Sequence, residues 1–323
     1  MKQATPTVRH APRFWRHGGV VAALTLVALG EIAGASAPSG PVNLITVRTP
    51  PSLPPAIALT IRKTAELEKV LDSRGFALDG VASGRSRVPA LALTRLPTDF
   101  AGEMPVNRRK TLFISGVLPL ILLANAEITA DRARLRLIIA KGDANARGRA
   151  WLDDQAARYG LAAEKQDTPP PVRLAQRLLR HVDTVPVSLA LAQAAAESGW
   201  GRSRFAHDGN ALYGQWTMSE GHGLVPQRRD AGKKHLVRQF GSLLDSVRAY
   251  MRNLNSHPAY RTFRDARATA RGRGQALDGA ELAHHLEAYS ERGAVYIDEL
   301  RAIMRVNRLG RFDGAILIPE RRV

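Results

Sequence analysis

Residues 186–216 read PVSLALAQAAAESGWGRSRFAHDGNALYGQW, and this stretch decides the fold. Pro186 suits the first turn of a helix, where its missing N–H leaves nothing unsatisfied, and Thr184 stands where a capping hydroxyl belongs. From Val187 to Ala196 only Ser188 and Gln193 are polar. A helix apolar on nearly every side is a buried helix. Glu197 closes the run, and Gly199 follows as a helix stop, because glycine enters the left-handed cap conformation without steric penalty.

A lone carboxylate at the end of a buried helix is poorly placed for stability. The helix dipole presents partial negative charge there, and burial favours the neutral acid. Both effects favour a protonated carboxyl near neutral pH, which is what a general acid requires. Two other readings of Glu197 stay open on these grounds alone: a surface residue, or an ion pair with Arg202 or Arg204.

The joined strings AQAAAESGWGRSRFA (192–206) and GNALYGQW (209–216) resemble the signature of the glucosaminidase superfamily, glycoside hydrolase family 73, and within it the Bax-like proteins. The resemblance spans about Leu93 to Asn307. It implies that Glu197, in Glu197-Ser198-Gly199-Trp200-Gly201, is the catalytic acid. The S-x-x-A element maps onto Ser203-Arg204-Phe205-Ala206. The N-N-L-F-G-type turn maps onto Asn210-Ala211-Leu212-Tyr213-Gly214, with Ala211 and Tyr213 as departures. Tyr289-Ser290-Glu291-Arg292-Gly293, with Tyr296 seven residues after Tyr289, resembles the family's Y-A-T-D-P-x-Y element. That likeness makes Tyr289 the second catalytic candidate, beside the acid. Ser203, Asn210, Tyr213, Gln215, Trp216 and Tyr260 are expected to line the glycan groove, Asn210 also shaping its turn. Glycoside hydrolysis ordinarily uses two carboxylates. The region after the motif offers Glu220 and Asp230, with Glu220 as the candidate second one, while Leu236 stands where close relatives would tend to place a Glu.

The resemblance and the periodicity together give a mainly α (α+β) chain. We expect a lysozyme-like helical catalytic domain over 169–310, with a small β-hairpin lobe, preceded by a helical segment over 92–168. Within that segment Pro119 should kink or break an apolar helix over Leu112–Ala124, and a second helix follows over Glu127–Ala140. A strand is expected over His235–Phe240. Helices are expected over Leu243–His257, Arg261–Arg271, Leu277–Ser290 and Val295–Val306. Residues 311–323 read as a C-terminal tail.

Residues 1–17 carry Lys2, Arg9, Arg13 and Arg16 without an acid, Gly18–Gly30 is apolar apart from Thr25, and Ala35-Ser36-Ala37 follows. This is the pattern of a secretory signal, with an uncleaved membrane anchor as the alternative, so residues 1–37 predict export to the periplasm or the outer face of the inner membrane. Residues 38–91 read as a Pro-rich linker followed by a poorly defined region; six of the 19 prolines fall within 38–57.

The net charge is +18, and residues 171–323 hold half of it, so basicity is spread along the chain. Such a chain suits an anionic polymer. Anionic peptidoglycan is the expected partner. Nucleic acid is not, because no recognisable nucleic-acid-binding module is present. There is no Cys, which excludes disulfides and thiolate metal sites. No H-E-x-x-H, P-loop or dinucleotide fingerprint appears, and neither metal nor cofactor is expected. The expected function is an exported peptidoglycan hydrolase cleaving the β-1,4 bond after N-acetylglucosamine. A lytic transglycosylase and a non-catalytic wall-binding protein are the alternatives.

Overall fold

The computed structural model describes residues 56–161, 169–217, 223–225 and 236–318; the expected signal segment 1–37, most of the Pro-rich linker and Glu220 lie outside them. The N-terminal part of the fold holds β1 (Ile57–Leu59), α1 (Thr64–Ser73), α2 (Leu78–Ala82), β2 (Val88–Pro89) and β3 (Leu91–Leu93). Then come α3 (Val106–Lys141), α4 (Ala146–Arg158), α5 (Pro171–His181), α6 (Val187–Ser198) and α7 (Arg204–Gly209). Strands β4 (Trp216–Thr217), β5 (Gly223–Leu224) and β6 (Leu236–Arg238) precede α8 (Leu243–Ser256), α9 (Arg261–Gly272), α10 (Gly279–Ala283) and α11 (Ala294–Val306). Strand β7 (Leu317–Ile318) ends the described chain. The protein is mainly α with small β elements, as the sequence indicates.

The axis of the molecule is α3, at 36 residues about 54 Å long by the rise of an α-helix. It is a single helix, not the two helices expected on either side of Pro119. Proline removes one ladder bond and crowds the preceding turn. Here the residues around it, from Leu112 to Ala124, are all buried, and α5, α6, α8 and β3 pack along the helix. That packing holds the helix continuous across the defect. Among the described residues it is the one helix long and apolar enough to cross a membrane, yet most of its apolar stretch is buried inside the fold, so it serves as a core helix.

Helix α6 lies against α3, α10, α11 and the 3-10 turn Leu309–Phe312, and every residue from Val187 to Ala195 is buried. Burying each leucine stabilises the fold by roughly 1.5–3 kcal/mol. Its start is capped from a distance. Thr184, the expected cap, instead accepts a hydrogen bond from Arg271 at 2.9 Å. The Asp313 carboxylate accepts from Ser188 N and from Ser188 Oγ, both at 2.8 Å, and supplies the negative charge favoured at a helix N-terminus.

A buried charge cluster fixes the turn into α6. Arg132 donates to the carbonyls of Leu179 and Val182, and the fully buried Arg267 donates to those of Asp183 and Thr184. Arg132, Arg267 and Arg271 all surround the buried Asp183 carboxylate, at 3.4, 3.7 and 3.1 Å. Burial pulls the Arg267 pKa down to about 10, against the pull of Asp183.

Three expectations need correction. Residues 57–91 are part of the fold, not a poorly defined region: Leu67, Leu71, Phe76, Val88 and Leu91 join the same hydrophobic core as α6. The tail is also structured as far as Ile318; Phe312 is fully buried, and β7 pairs in parallel with β2, Val88 opposite Leu317. The helix expected over Leu277–Ser290 is a short α10 and a 3-10 turn at Glu287–Tyr289. The small β lobe is present as an antiparallel sheet in the order β4-β6-β5, with Trp216 opposite Val237 and Leu224 opposite Val237 on the other side.

Candidate active site

Glu197 occupies the last turn of α6 and is half-buried. The chain leaves it through three consecutive residues with positive φ: Gly199 at 58°, Trp200 at 57° and Gly201 at 78°. This explains the residue types of E-S-G-W-G. Gly199 caps the helix. The Ser198 hydroxyl donates to Ala194 O at 2.6 Å and accepts from Gly201 N at 2.9 Å, stitching the turn closed. A side chain at Gly201 would stand 2.9 Å from the Phe100 ring. Trp200 is held in its unfavourable backbone conformation by an edge-on contact with Phe113 and by Lys110, whose Nζ lies 4.9 Å above its ring.

The Glu197 carboxyl has one oxygen in a hydrogen bond and the other beside glycine. Tyr296 donates to Oε1 at 2.9 Å, and a side-chain carbon at Gly214 would lie 3.5 Å from Oε2. Burial pushes the Glu197 pKa up to about 7. The hydrogen bond from Tyr296 and the nearby Arg292 act against that shift, and Glu299 adds to it. Arg292, in the turn before α11, and Glu299 on α11 form an ion pair at 2.6 Å. A carboxyl with these surroundings can hold a proton at neutral pH and release it to a leaving oxygen.

Aromatic rings build the wall beside the acid. Tyr213 stacks on Tyr250 with centroids 3.8 Å apart, and Tyr289 stacks on Tyr296 at 5.8 Å. Tyr260 lies 5.9 Å from Tyr289. The hydroxyl that reaches Glu197 therefore belongs to Tyr296, whereas Tyr289 donates to the carbonyl of Tyr213 at 3.2 Å. Both residues lie in the one motif. A break at Ser290 and Gly293 separates the 3-10 turn holding Tyr289 from α11 holding Tyr296, so spacing alone did not tell which ring faces the carboxyl.

The expected groove residues divide into three kinds. Ser203 accepts from Phe205 N at 3.2 Å and caps α7, a structural task. Asn210 caps the end of the same helix in left-handed geometry and donates to Phe240 O at 3.0 Å. Tyr213 and Tyr260 are buried, so they act as wall, not as exposed stacking platforms. Gln215 and Trp216 follow Gly214 directly; Gln215 is half-buried and Trp216 is 48% exposed. Trp216 thus offers an accessible ring two residues beyond the glycine that borders the acid. Sequence reasoning passed over Gln193 and Tyr250, which the structure joins to Glu197 through Tyr296; a lone Gln inside an alanine-rich helix was the available signal.

Residues 172–309 match the family model described as mannosyl-glycoprotein endo-beta-N-acetylglucosaminidase, Glucosaminidase. The chain is also 37% identical over 200 residues to Protein bax of Escherichia coli (strain K12), an alignment covering 62% of this chain and 70% of that protein. No solved structure is significantly similar to the chain.

Proposed function

Since this chain belongs to the Bax-like proteins of the glucosaminidase superfamily, and is on that ground a glycosidase-type enzyme, we propose that it is an exported peptidoglycan hydrolase cleaving the β-1,4 bond after N-acetylglucosamine. Glu197 is its general acid. The observation that carries the reading is the Glu197 carboxyl itself, its pKa raised to about 7 by burial, with Oε1 held by Tyr296 and Oε2 beside Gly214. An acid poised near the working pH transfers its proton to the glycosidic oxygen as the bond lengthens toward an oxocarbenium-like state. Trp216 would receive a sugar face beside that oxygen. Export rests on the basic, apolar and Ala-x-Ala pattern of residues 1–37, and the net charge of +18 suits an anionic wall polymer.

A second reading is a lytic transglycosylase, which needs one acid/base and no water nucleophile. It is favoured by β6, which reads Leu236-Val237-Arg238 and carries no carboxylate. Mass spectrometry of fragments released from purified peptidoglycan separates the two. Reducing N-acetylglucosamine ends are the expected result. Anhydromuramyl ends would replace the hydrolase by the transglycosylase.

A further inference from the structure

Glu197 is the end of a buried hydrogen-bond relay that draws on three helices. Tyr250 of α8 donates to Gln193 Oε1 at 2.7 Å. Gln193 of α6 donates from Nε2 to Tyr296 Oη at 3.1 Å. Tyr296 of α11 then donates to Glu197 Oε1 at 2.9 Å. Gln193, Tyr250 and Tyr296 are all fully buried, so no solvent competes along these links. Gln193 precedes Glu197 by four residues and lies on the same face of α6.

The relay has a direction. The Tyr250 hydroxyl has one partner among the described residues, so its single proton goes to the Gln193 carbonyl oxygen. That fixes the amide, and its NH2 must face Tyr296. An amide NH2 cannot accept a hydrogen bond. Among the described residues, the acceptor left for the Tyr296 proton is Glu197 Oε1.

We propose that Gln193 and Tyr250 are positioning residues that fix the acid proton of Glu197 on Oε2, the oxygen beside Gly214, by forcing Tyr296 to donate to Oε1. The inference rests on the reading of Glu197 as the general acid. With Oε1 occupied as an acceptor, the proton rides on the oxygen that glycine leaves uncovered. Amide donation to the Tyr296 oxygen also strengthens Tyr296 as a donor, since hydrogen bonds in a chain polarise one another. The charged groups facing the carboxyl, Arg292 in the turn before α11 and Glu299 on α11, are untouched by changes at residues 193 and 250. Tyr289 and Tyr260 likewise keep their places.

The test is the titration of the Glu197 side chain by carbon-13 NMR, in full-length protein labelled at the glutamate carboxyl, with Glu197→Gln assigning the resonance. Tyr250→Phe removes one oxygen and keeps the stack on Tyr213; Gln193→Met removes both amide links at similar volume. Each weakens Tyr296 as a donor to the carboxylate, so the midpoint should rise by about 0.3–1 pH unit. For the same variants kcat on peptidoglycan should fall roughly two- to tenfold at unchanged KM, the size of one hydrogen bond. A midpoint equal to wild type in both folded variants overturns the proposal, even if their melting temperatures drop, because a merely structural role would act that way. If Gln193→Met fails to fold, Tyr250→Phe alone decides. Equal cleavage by wild type and Glu197→Gln would instead remove Glu197 from its role as acid, while the titration would still report on the relay.

Discussion

Glu197 carries a conflict between stability and chemistry, and both sides of it are measurable. In the unfolded chain its carboxyl ionises near 4.5; in the fold burial raises that value to about 7. Below pH 4.5 both states are protonated and no penalty exists. As pH rises through this window the unfolded chain ionises first, so folding stability is lost, and above pH 7 the full penalty applies. It is on the order of 3 kcal/mol, from the free energy of each pKa unit. Glu197→Gln should therefore be more stable than wild type at pH 8 and equal to it at pH 4, as read by chemical denaturation at the two pH values. In the opposite sense, kcat/KM on glycan should fall as pH rises, with a midpoint near 7, because the general acid must be protonated in the free enzyme. Activity held level to pH 9 would exclude Glu197 as that acid. The place of Glu197 at the end of a buried helix was legible in the sequence, from the apolar run and Gly199; its proposed role as the acid came from the resemblance, because helix chemistry alone left an ion pair or a surface position open. The choice of Tyr296 over Tyr289 was not legible. It depends on how the 3-10 turn at Glu287–Tyr289 delivers the chain into α11.

Among the elements, α6 and α8 follow closely from local pattern, because apolar spacing and Gly199 fix their extents. Helix α3 does not. Pro119 is a local signal to break, and only burial by α5, α6 and α8 overrides it, which no window of sequence contains. The capping of α6 failed to read out for the same reason: its acceptor, Asp313, lies 125 residues away. The turn before α6 rests on a similar long-range device, Asp183 among Arg132, Arg267 and Arg271. Asp183→Ala would leave the fully buried Arg267 without its carboxylate. Removing one partner of a buried pair costs about 3–5 kcal/mol, and equilibrium urea unfolding should show a loss of that size. A change below about 1 kcal/mol would mean that the backbone carbonyls alone satisfy the arginines.

At the scale of the molecule, the resemblance to known proteins begins near Leu93 and the family model covers 172–309, yet the core ignores both limits. Residues from Ile61 to Phe312 share one hydrophobic cluster, and α3 covers faces of α5, α6 and α8. The divisions expected at residues 91–92 and 168–169 therefore lie within a common core, because neither a motif nor periodicity reveals which segment covers which face. A fragment of residues 169–318 should expose those faces and aggregate or lack a cooperative melt, whereas residues 56–318 should melt cooperatively. A well-folded short fragment would contradict the shared core. The central claim is that this fold exists to hold one protonated carboxyl against a glycan. It is tested most directly by the rate of soluble muropeptide release from purified peptidoglycan, wild type beside Glu197→Gln at matched concentration. The account predicts release by wild type and a loss of at least about a hundredfold in the variant, the scale of general-acid catalysis. Equal release by both proteins, or none by a folded wild type that still binds the polymer, would contradict it.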